Sequence, residues 1–279
     1  MPRLDQELVQ RGMARSRSQA AALVADGRVL RNGVAALKAA LKVSPHDQLC
    51  LVEDGREEFV SRAGRKLADA LSAFSDVLPA GLKCLDAGAS TGGFTDVLLR
   101  RGAASVAAVD VGHGQLVRSI RNNPRVAVHE GINVRYLDVD AVGGPFDLTV
   151  ADLSFISLTV VMEALCGATS CGGSLLLMIK PQFEVGRQRL PHTGVVVNET
   201  DRQQAVTEVL ASSLCNGGVP AGLVRNPIAG RDGNVEFFLW LRMPMLVQAH
   251  TIDDVEALER ATRFVSESMA FGIEGQERN

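Results

Sequence analysis

Charged side chains that could transfer protons stand where apolar segments of this sequence end. Asp152 and Lys180 each follow directly after an apolar, strand-like run, Glu236 lies beside a third run, and Lys66 lies in a basic stretch further upstream. Ligands of open α/β sheets bind outside the carboxyl ends of the strands, so polar residues at these positions are candidates for chemistry. A lysine can accept the proton of a hydroxyl group or stabilise the alkoxide that forms, and a carboxylate can orient either group.

A glycine-rich segment after an earlier apolar run could bring the backbone close to a ligand. It reads Leu-Asp-Ala-Gly-Ala-Ser-Thr-Gly-Gly-Phe-Thr-Asp over residues 85–96, and its glycines precede a predicted helix. Dinucleotide-binding loops have the pattern G-x-G-x-x-G, and Ser90 replaces the middle glycine here, so NAD is the weaker interpretation. Asp110 ends the next strand-like run, where an acid can bind a ribose diol. The segment resembles the S-adenosylmethionine loop of methyltransferases.

Length and composition indicate a globular protein with one large and one small domain. The chain has 279 residues, of which 46% are apolar, enough for a substantial core. Its five cysteines contain no C-x-x-C pair, and its histidines have no metal-ligand spacing, so we expect reduced thiols and no metal. The sequence predicts neither a membrane span nor a secretion signal, which favours a cytoplasmic location.

Charge is distributed unevenly along the chain, although the net charge is only -3. Residues 1–44 contain eight arginines or lysines and three acids, which gives about +5, whereas the residues from Asp253 onward contain seven acids and three arginines, about -4. A basic head on a nearly neutral body predicts a polyanionic partner, and a solvated basic face is the alternative.

The basic head has the pattern of a small, separate α/β unit. Two short amphipathic helices flank Gly12, and apolar runs follow on either side of the tight-turn signal Asn32-Gly33. This arrangement resembles an S4 domain, a module that binds structured RNA. The resemblance covers residues 1–52. The polar stretch from Glu53 to Glu58 has no periodic apolar residues and predicts a linker over 53–60, followed by the main domain over 61–279. The arginines predicted to contact RNA phosphates are Arg3, Arg15, Arg17, Arg28, Arg31, Arg62 and Arg65.

Strands and helices alternate after the linker, which predicts a doubly wound, mainly parallel sheet. The predicted strands cover residues 83–87, 105–109, 126–129, 146–151, 174–179, 222–226 and 235–241, and the predicted helices cover 95–101, 157–166 and 200–214. The last two strands have little between them and therefore predict an antiparallel hairpin at the edge. The fold class is α/β, with a Rossmann-like class I methyltransferase domain.

The order Lys66, Asp152, Lys180, Glu236 resembles the 2'-O-ribose methyltransferases of the FtsJ type. An S4-like head together with the motifs Asp-Leu-Ser-Phe-Ile (152–156), Lys-Pro-Gln-Phe-Glu (180–184) and Gly-Asn-Val-Glu (233–236) is similar to the TlyA family across nearly the whole chain. The resemblance implies S-adenosylmethionine-dependent methylation of cytidine ribose in 16S and 23S rRNA, on 30S and 50S ribosomal subunits. It also implies sensitivity to cyclic peptide antibiotics such as capreomycin.

The resemblance also implies a role for each site residue. Lys180 is the candidate base, with Lys66 as the other possibility, and Asp152 and Glu236 would orient the lysines and the hydroxyl group. Phe155 follows a strand end, where an aromatic side chain is more often part of the core than a ligand contact. The donor-binding residues are predicted to be Asp86, Gly88, Ser90, Gly92, Gly93, Asp110 and, near the adenine, Asn133.

Two features depart from this picture. TlyA-family linkers typically carry Arg-x-Trp-Val, whereas this chain has Glu57-Glu58-Phe59-Val60, so the charged position has changed sign. Aromatic residues make up only 4% of the chain, which leaves few platforms for stacking bases and favours recognition of RNA shape and phosphates.

Other functions remain open on the sequence alone. Asp152 could simply cap a helix, and Lys180 could be an ordinary strand-end residue. A non-enzymatic rRNA- or ribosome-binding protein would need neither side chain. A membrane-active haemolysin would need an amphipathic or spanning segment, and a small-molecule methyltransferase would leave the basic head without a role.

Overall fold

A computed structural model describes the chain except for Arg15, Asp26, Arg231 and residues 53–57, 246–251 and 275–279. The predicted phosphate contact Arg15 and most of the predicted linker therefore lie outside the described residues. The chain divides into two compact units, Met1–Arg62 and Ala63–Asn279.

The first unit packs two helices against a small antiparallel sheet. Its elements are α1 (Leu4–Gln10), α2 (Arg17–Ala25), β1 (Val29–Arg31), β2 (Val34–Ala35) and β3 (Leu49–Leu51), with strand order β2-β1-β3. Asn32 and Gly33 have φ values of 52° and 81°, so the predicted tight turn joins β1 to β2. Leu4 and Leu8 from α1 share a buried core with Leu23 from α2 and Val29 from β1.

The second unit is built around a seven-stranded sheet. Its strands are β4 (Lys83–Ala87), β5 (Ser105–Asp110), β6 (Val126–Glu130), β7 (Phe146–Ala151), β8 (Thr169–Ile179), β9 (Val219–Arg225) and β10 (Phe237–Arg242). Its helices are α3 (Arg62–Ala73), α4 (Gly93–Arg100), α5 (Arg118–Arg121), α6 (Leu158–Gly167), α7 (Pro181–Glu184), α8 (Gly186–Arg189), α9 (Glu199–Cys215) and α10 (Asp254–Glu274), with a 3₁₀ turn at Val134–Tyr136.

The strand order is β6-β5-β4-β7-β8-β10-β9, and β10 runs in the direction opposite to the other six strands. The chain moves outward from β4 through β5 to β6 and then returns to place β7 on the other side of β4. The order therefore reverses between β4 and β7, which is where a doubly wound sheet binds ligands. The predicted fold class and the edge hairpin are confirmed.

Helices cover both faces of this sheet. Leu239 and Leu241 of β10 belong to a core that includes residues of α6, α9 and α10. Because side chains alternate along a strand, Phe238 and Trp240 point to the other face. There Phe238 stacks on Phe94 of α4 at 6.1 Å between ring centroids, and Trp240 lies 5.6 Å from Phe74, just after α3.

Three strands begin two or more residues away from their predicted positions. β8 begins at Thr169 rather than at 174, because a bulge opposite Phe146 and Leu148 lets the pairing continue through Gly172 and Gly173. β9 covers Val219–Arg225 and includes Pro220, whereas the prediction was 222–226. An edge strand tolerates proline because one side of it has no pairing partner. β10 begins at Phe237, two residues later than predicted.

Candidate active site

The sheet brings the predicted acids and lysines to one edge. Asp152 follows β7 and Lys180 follows β8, so both lie at the carboxyl ends of parallel strands. Because β10 is antiparallel, the start of that strand lies at the same edge, and Phe237 pairs with Ile179. The next positions along this register are Glu236 and Lys180. The sheet topology therefore places three of the four predicted groups on neighbouring strand ends.

Two lysine–carboxylate pairs form at this edge. Lys66, on α3, makes a short ion pair with Glu236, and these side chains are only 10% and 4% exposed. Lys180 Nζ lies 2.6 Å from Asp152 Oδ1 and donates a hydrogen bond to Ser154 Oγ at 2.9 Å. Charges this far from water require partners of opposite sign. Ser154 was missed by sequence reasoning, although its place two residues after Asp152 could have pointed to it.

The glycine loop directly contacts the Asp152 backbone. Gly88 has φ of 88°, and a Cβ at this position would lie 2.7 Å from the Asp152 carbonyl oxygen. Asp152 N–H in turn donates to the Ala87 carbonyl at 3.1 Å. Ser90 and Gly92 also have positive φ values, 46° and 95°. The loop therefore folds tightly over the strand end that carries one of the candidate catalytic acids.

Asp110 fixes the other side of this loop. Its Oδ2 accepts a hydrogen bond from Ser90 N–H, and its Oδ1 accepts one from Gly112 N–H, both at 2.7 Å. Each carboxylate oxygen keeps a second lone pair that a ribose hydroxyl could use. Gln115, which sequence reasoning missed, accepts a hydrogen bond from the Ser90 hydroxyl group at 3.2 Å.

Asp86 lies beneath the loop and is fully buried. Thr95 Oγ1 donates a hydrogen bond to Asp86 Oδ2 at 2.6 Å, while Oδ1 is buried without a hydrogen-bond partner. Burial, with help from the carboxylates of Asp152 and Asp110 and against the hydrogen bonds from Thr95, raises the pKa of Asp86 to about 7. With no exposed surface, Asp86 can influence a donor only through the loop above it.

A cavity of about 390 Å³ lies at the end of β6 and contains Asn133. The Asn133 side chain accepts a hydrogen bond from Arg135 N–H at 3.0 Å and so caps the 3₁₀ turn. Ile132, also in the cavity wall, donates its N–H to the Asp110 carbonyl at 3.0 Å. The cavity therefore adjoins the strand end that carries the predicted ribose-binding acid.

Phe155 is not a core residue, contrary to the expectation from its position. Its side chain is 93% exposed, and its φ of 65° is unusual for a non-glycine residue. The Phe155 ring lies 5.4 Å from the Phe183 ring, and Lys180 Nζ lies 5.8 Å from the centroid of Phe183. An exposed aromatic surface thus adjoins the Lys180–Asp152 pair.

Several of the predicted RNA-binding arginines pair with acids. Arg3 and Arg17 both bind Asp5, and Arg31 binds Asp47 at 2.8 Å. Arg28 contacts Glu58 at 3.2 Å. Hydrogen bonds from the backbone of Ser44 and from the side chains of Arg31 and Asn32 lower the pKa of Asp47 to about 2.

These ion pairs leave part of the basic surface accessible. The Arg17 side chain is 57% exposed, and in the second unit Arg65 lies 3.7 Å from Asp69, one turn along α3. Arg62 begins α3.

Each of the two units matches the model of a known protein family. An FtsJ-like methyltransferase model matches residues 59–243, and an S4 domain model matches residues 2–49. The 16S/23S rRNA (cytidine-2'-O)-methyltransferase TlyA of Mycobacterium tuberculosis is 50% identical over 240 residues, which cover 86% of this chain and 89% of that protein. Hemolysin A of Brachyspira hyodysenteriae is 34% identical, over 84% of this chain and 97% of that protein.

A solved Streptococcus thermophilus structure, described as that of a candidate hemolysin, superposes with a TM-score of 0.70. It is 34% identical and covers 96% of this chain and 98% of its own. Within the described ranges, no helix is both long and apolar enough to span a bilayer. The family model covers more than half of the chain, and the relatives match it nearly from end to end, so the chain belongs to the FtsJ-like methyltransferases and, among them, to the TlyA family.

Proposed function

We propose that this chain methylates the 2'-hydroxyl group of cytidine in 16S and 23S rRNA, on 30S and 50S subunits, with S-adenosylmethionine as the donor. The observation that carries the proposal is the contact between the glycine loop and the acid–lysine pair. Gly88 leaves room for nothing larger than hydrogen beside the Asp152 carbonyl, and Asp152 pairs with Lys180. A donor seated on this loop would lie next to groups suited to deprotonating a hydroxyl.

The residues around the loop fit S-adenosylmethionine. Gly88, Ser90, Gly92 and Gly93 would hold the methionine part, Asp110 the ribose and Asn133 the adenine side. Asp86 would support the loop from below through its bond with Thr95. When bound, S-adenosylmethionine supplies a methyl group already activated by its positive sulfur, so the reaction needs no metal. The remaining requirement is a correctly placed and deprotonated hydroxyl group.

The two lysine–carboxylate pairs have different roles in this proposal. Lys180, entering the step as the neutral amine, takes the proton of the 2'-hydroxyl group as the oxygen attacks the methyl carbon, and its contacts with Asp152 and Ser154 fix the position of Nζ. Lys66 and Glu236 form the more buried pair, and they hold the ribose so that its 2'-oxygen faces the methyl group. General base catalysis of this kind typically contributes about 10²–10⁴ in rate.

The RNA is recognised by both units in this proposal. Residues 1–52 form the S4-type RNA-binding domain, 53–60 the linker and 61–279 the methyltransferase domain. Arginines of the first unit bind phosphates and give affinity without reading sequence. The exposed ring of Phe155 gives the target base a surface to stack on, because base–aromatic stacking tolerates any base. The related Mycobacterium tuberculosis protein is described as acting on both 16S and 23S rRNA.

The test incubates the protein with isolated 30S and 50S subunits and labelled S-adenosylmethionine and then maps ribose methylation. Lys180→Ala should abolish the label while donor binding persists. Lys83→Ala is the matched control, because Lys83 begins β4, where its ammonium group lies over the Phe146 ring. Label on neither subunit, despite donor binding, would instead favour a non-enzymatic ribosome-binding protein.

A further inference from the structure

Glu184 is a buried carboxylate for which the proposed chemistry has no use. It ends α7, four residues after Lys180, and is 9% exposed. Among the described residues, no lysine, arginine or histidine pairs with it. Burial is the main cause that raises the pKa of Glu184, and the nearby Glu208 carboxylate adds to it, whereas its hydrogen bonds act in the opposite direction. A side chain kept in such a place requires a specific reason.

Its hydrogen bonds cross to another segment. Ser157 Oγ donates to Glu184 Oε2 at 2.5 Å, and Leu158 N–H donates to Oε1 at 3.0 Å. Both donors lie at the beginning of α6, where free N–H groups and the helix dipole favour a negative charge. Ser157 already caps the helix by accepting Thr159 N–H at 3.1 Å, so Glu184 adds a second link from a distant part of the chain.

The two joined segments are those that carry Asp152 and Lys180. Residues 152–157 connect β7 to α6, and residues 180–184 follow β8. The other side-chain links between these segments involve Lys180 itself, with Asp152 and Ser154, or the Phe155–Phe183 ring contact. The Glu184 link is made where the loop joins α6, and it uses no reacting group.

We propose that Glu184 is a positioning residue that holds the 152–157 loop against Lys180 and so sets the contact of Lys180 with Asp152 and Ser154. This inference rests on the proposed function, because it concerns the geometry of the same site. Phe155 has a left-handed backbone conformation, and such a conformation persists only where its surroundings impose it. Loss of the Glu184 link would let the loop relax and carry Asp152 away from the lysine.

The experiment compares Glu184→Ala with Glu184→Gln, since glutamine can still accept Leu158 N–H and donate to Ser157 Oγ. Thr169→Val is the matched control, because it removes a buried hydroxyl group, bonded at 2.7 Å to Thr149, from the start of β8 at the opposite end of the strand. Ser157→Ala replaces Glu184→Ala if that variant does not fold; it removes the hydrogen bond to Glu184 together with the Thr159 N–H cap but leaves the bond from Leu158 N–H to Glu184 in place. The measurements are kcat and KM for methyl transfer, the thermal midpoint, and the rate at which an amine-specific reagent modifies Lys180.

We expect Glu184→Ala to lower kcat by roughly 10- to 100-fold, the size of effect that a misplacement near 1 Å produces. The KM for S-adenosylmethionine should stay unchanged, Lys180 should be modified several-fold faster, and Glu184→Gln should restore most of both properties. Unchanged kcat in Glu184→Ala, or an equal loss in Thr169→Val, would overturn the inference. If even the wild-type protein transfers no methyl group, the proposed function fails, and the Lys180 modification rate alone decides: an unchanged rate in Glu184→Ala overturns the positioning role.

Discussion

The two units use pairs of opposite charge in different ways. In the first unit, Arg17 pairs with Asp5 while more than half of the arginine side chain remains in contact with solvent. At the sheet edge, Lys66 and Glu236 pair with 10% and 4% of their side chains exposed. Exposed pairs are screened and contribute little, whereas each buried charge depends on its partner. Arg17 can therefore turn to a phosphate while Arg3 still pairs with the buried Asp5, but Lys66 and Glu236 must stay paired.

The largest effect should come from breaking the buried pair. Lys66→Met leaves Glu236 without its cation, which should lower the free energy of unfolding by about 3–5 kcal/mol. Urea denaturation measures this change. The double variant Lys66→Met/Glu236→Leu should recover most of the loss, because no unpaired charge remains. A single-variant cost below about 1 kcal/mol would mean that this pair behaves like the exposed ones.

The two units should also differ in their tolerance of a methyl group. Gly88→Ala places Cβ 2.7 Å from the Asp152 carbonyl oxygen, while Gly33→Ala, also at positive φ, meets no atom within 4 Å. Both variants carry the backbone strain, roughly 1–2 kcal/mol. Only Gly88→Ala should weaken S-adenosylmethionine binding, by at least about tenfold or ~1.4 kcal/mol. Calorimetric titration of both variants with S-adenosylmethionine tests this prediction. Equal affinities would mean that the loop is not part of the donor site.

The raised pKa of Asp86 predicts a pH dependence opposite in sign to that of Asp47 in the first unit. Its pKa is about 7 in the folded chain, against an ordinary value of 3.8. Between these two pH values the folded chain keeps the Asp86 proton, whereas the unfolded chain has released it. The stabilisation is complete below 3.8 and is lost as pH rises through 7, with a slope of at most about 1.4 kcal/mol per pH unit.

The free energy of unfolding, measured by urea denaturation between pH 5 and 8, should decline with pH in the wild-type protein. The decline should be smaller in Asp86→Asn, which has no proton to lose at this position. The lowered pKa of Asp47 has the opposite sign, so its contribution is lost only when the solution becomes strongly acidic. A wild-type stability curve parallel to that of Asp86→Asn would contradict the prediction.

The smallest effect should come from Arg17→Ala. Because the Arg17 side chain is largely exposed and Arg3 still pairs with Asp5 when Arg17 is removed, the free energy of unfolding should change by about 0–1 kcal/mol. Binding to ribosomal subunits should nevertheless weaken, and its salt dependence should fall by a slope of about one. Filter binding across a range of salt concentrations measures both, and an unchanged slope would remove Arg17 from the RNA interface.

Sequence patterns could predict the features that depend on local periodicity. Apolar runs and the residues at their ends predict the parallel strands, the glycine loop and the positions of Asp152 and Lys180. Lys66 was identified only by the resemblance to the FtsJ type. The fully buried state of Asp86 was not apparent, because a strand end can face either solvent or the interior.

Other features depend on contacts between distant residues. The exposed Phe155 results from a left-handed backbone conformation that phenylalanine does not favour. The link between Ser157 and Glu184 joins residues 27 positions apart, and the pairing of Arg31 with Asp47 spans a loop. No periodicity encodes such contacts, so the sequence identified the chemical groups at the site better than it identified what holds them in place.

The position of β10 between β8 and β9 has a consequence for the protein during its synthesis. Glu236 immediately precedes β10, and that strand must pair with β8 on one side and β9 on the other. While the segment up to Arg242 is still inside the ribosome, the nascent chain has neither a folded β10 nor a partner for Lys66. If the proposed function is right, methyl transfer can therefore begin only after nearly the whole sheet has formed.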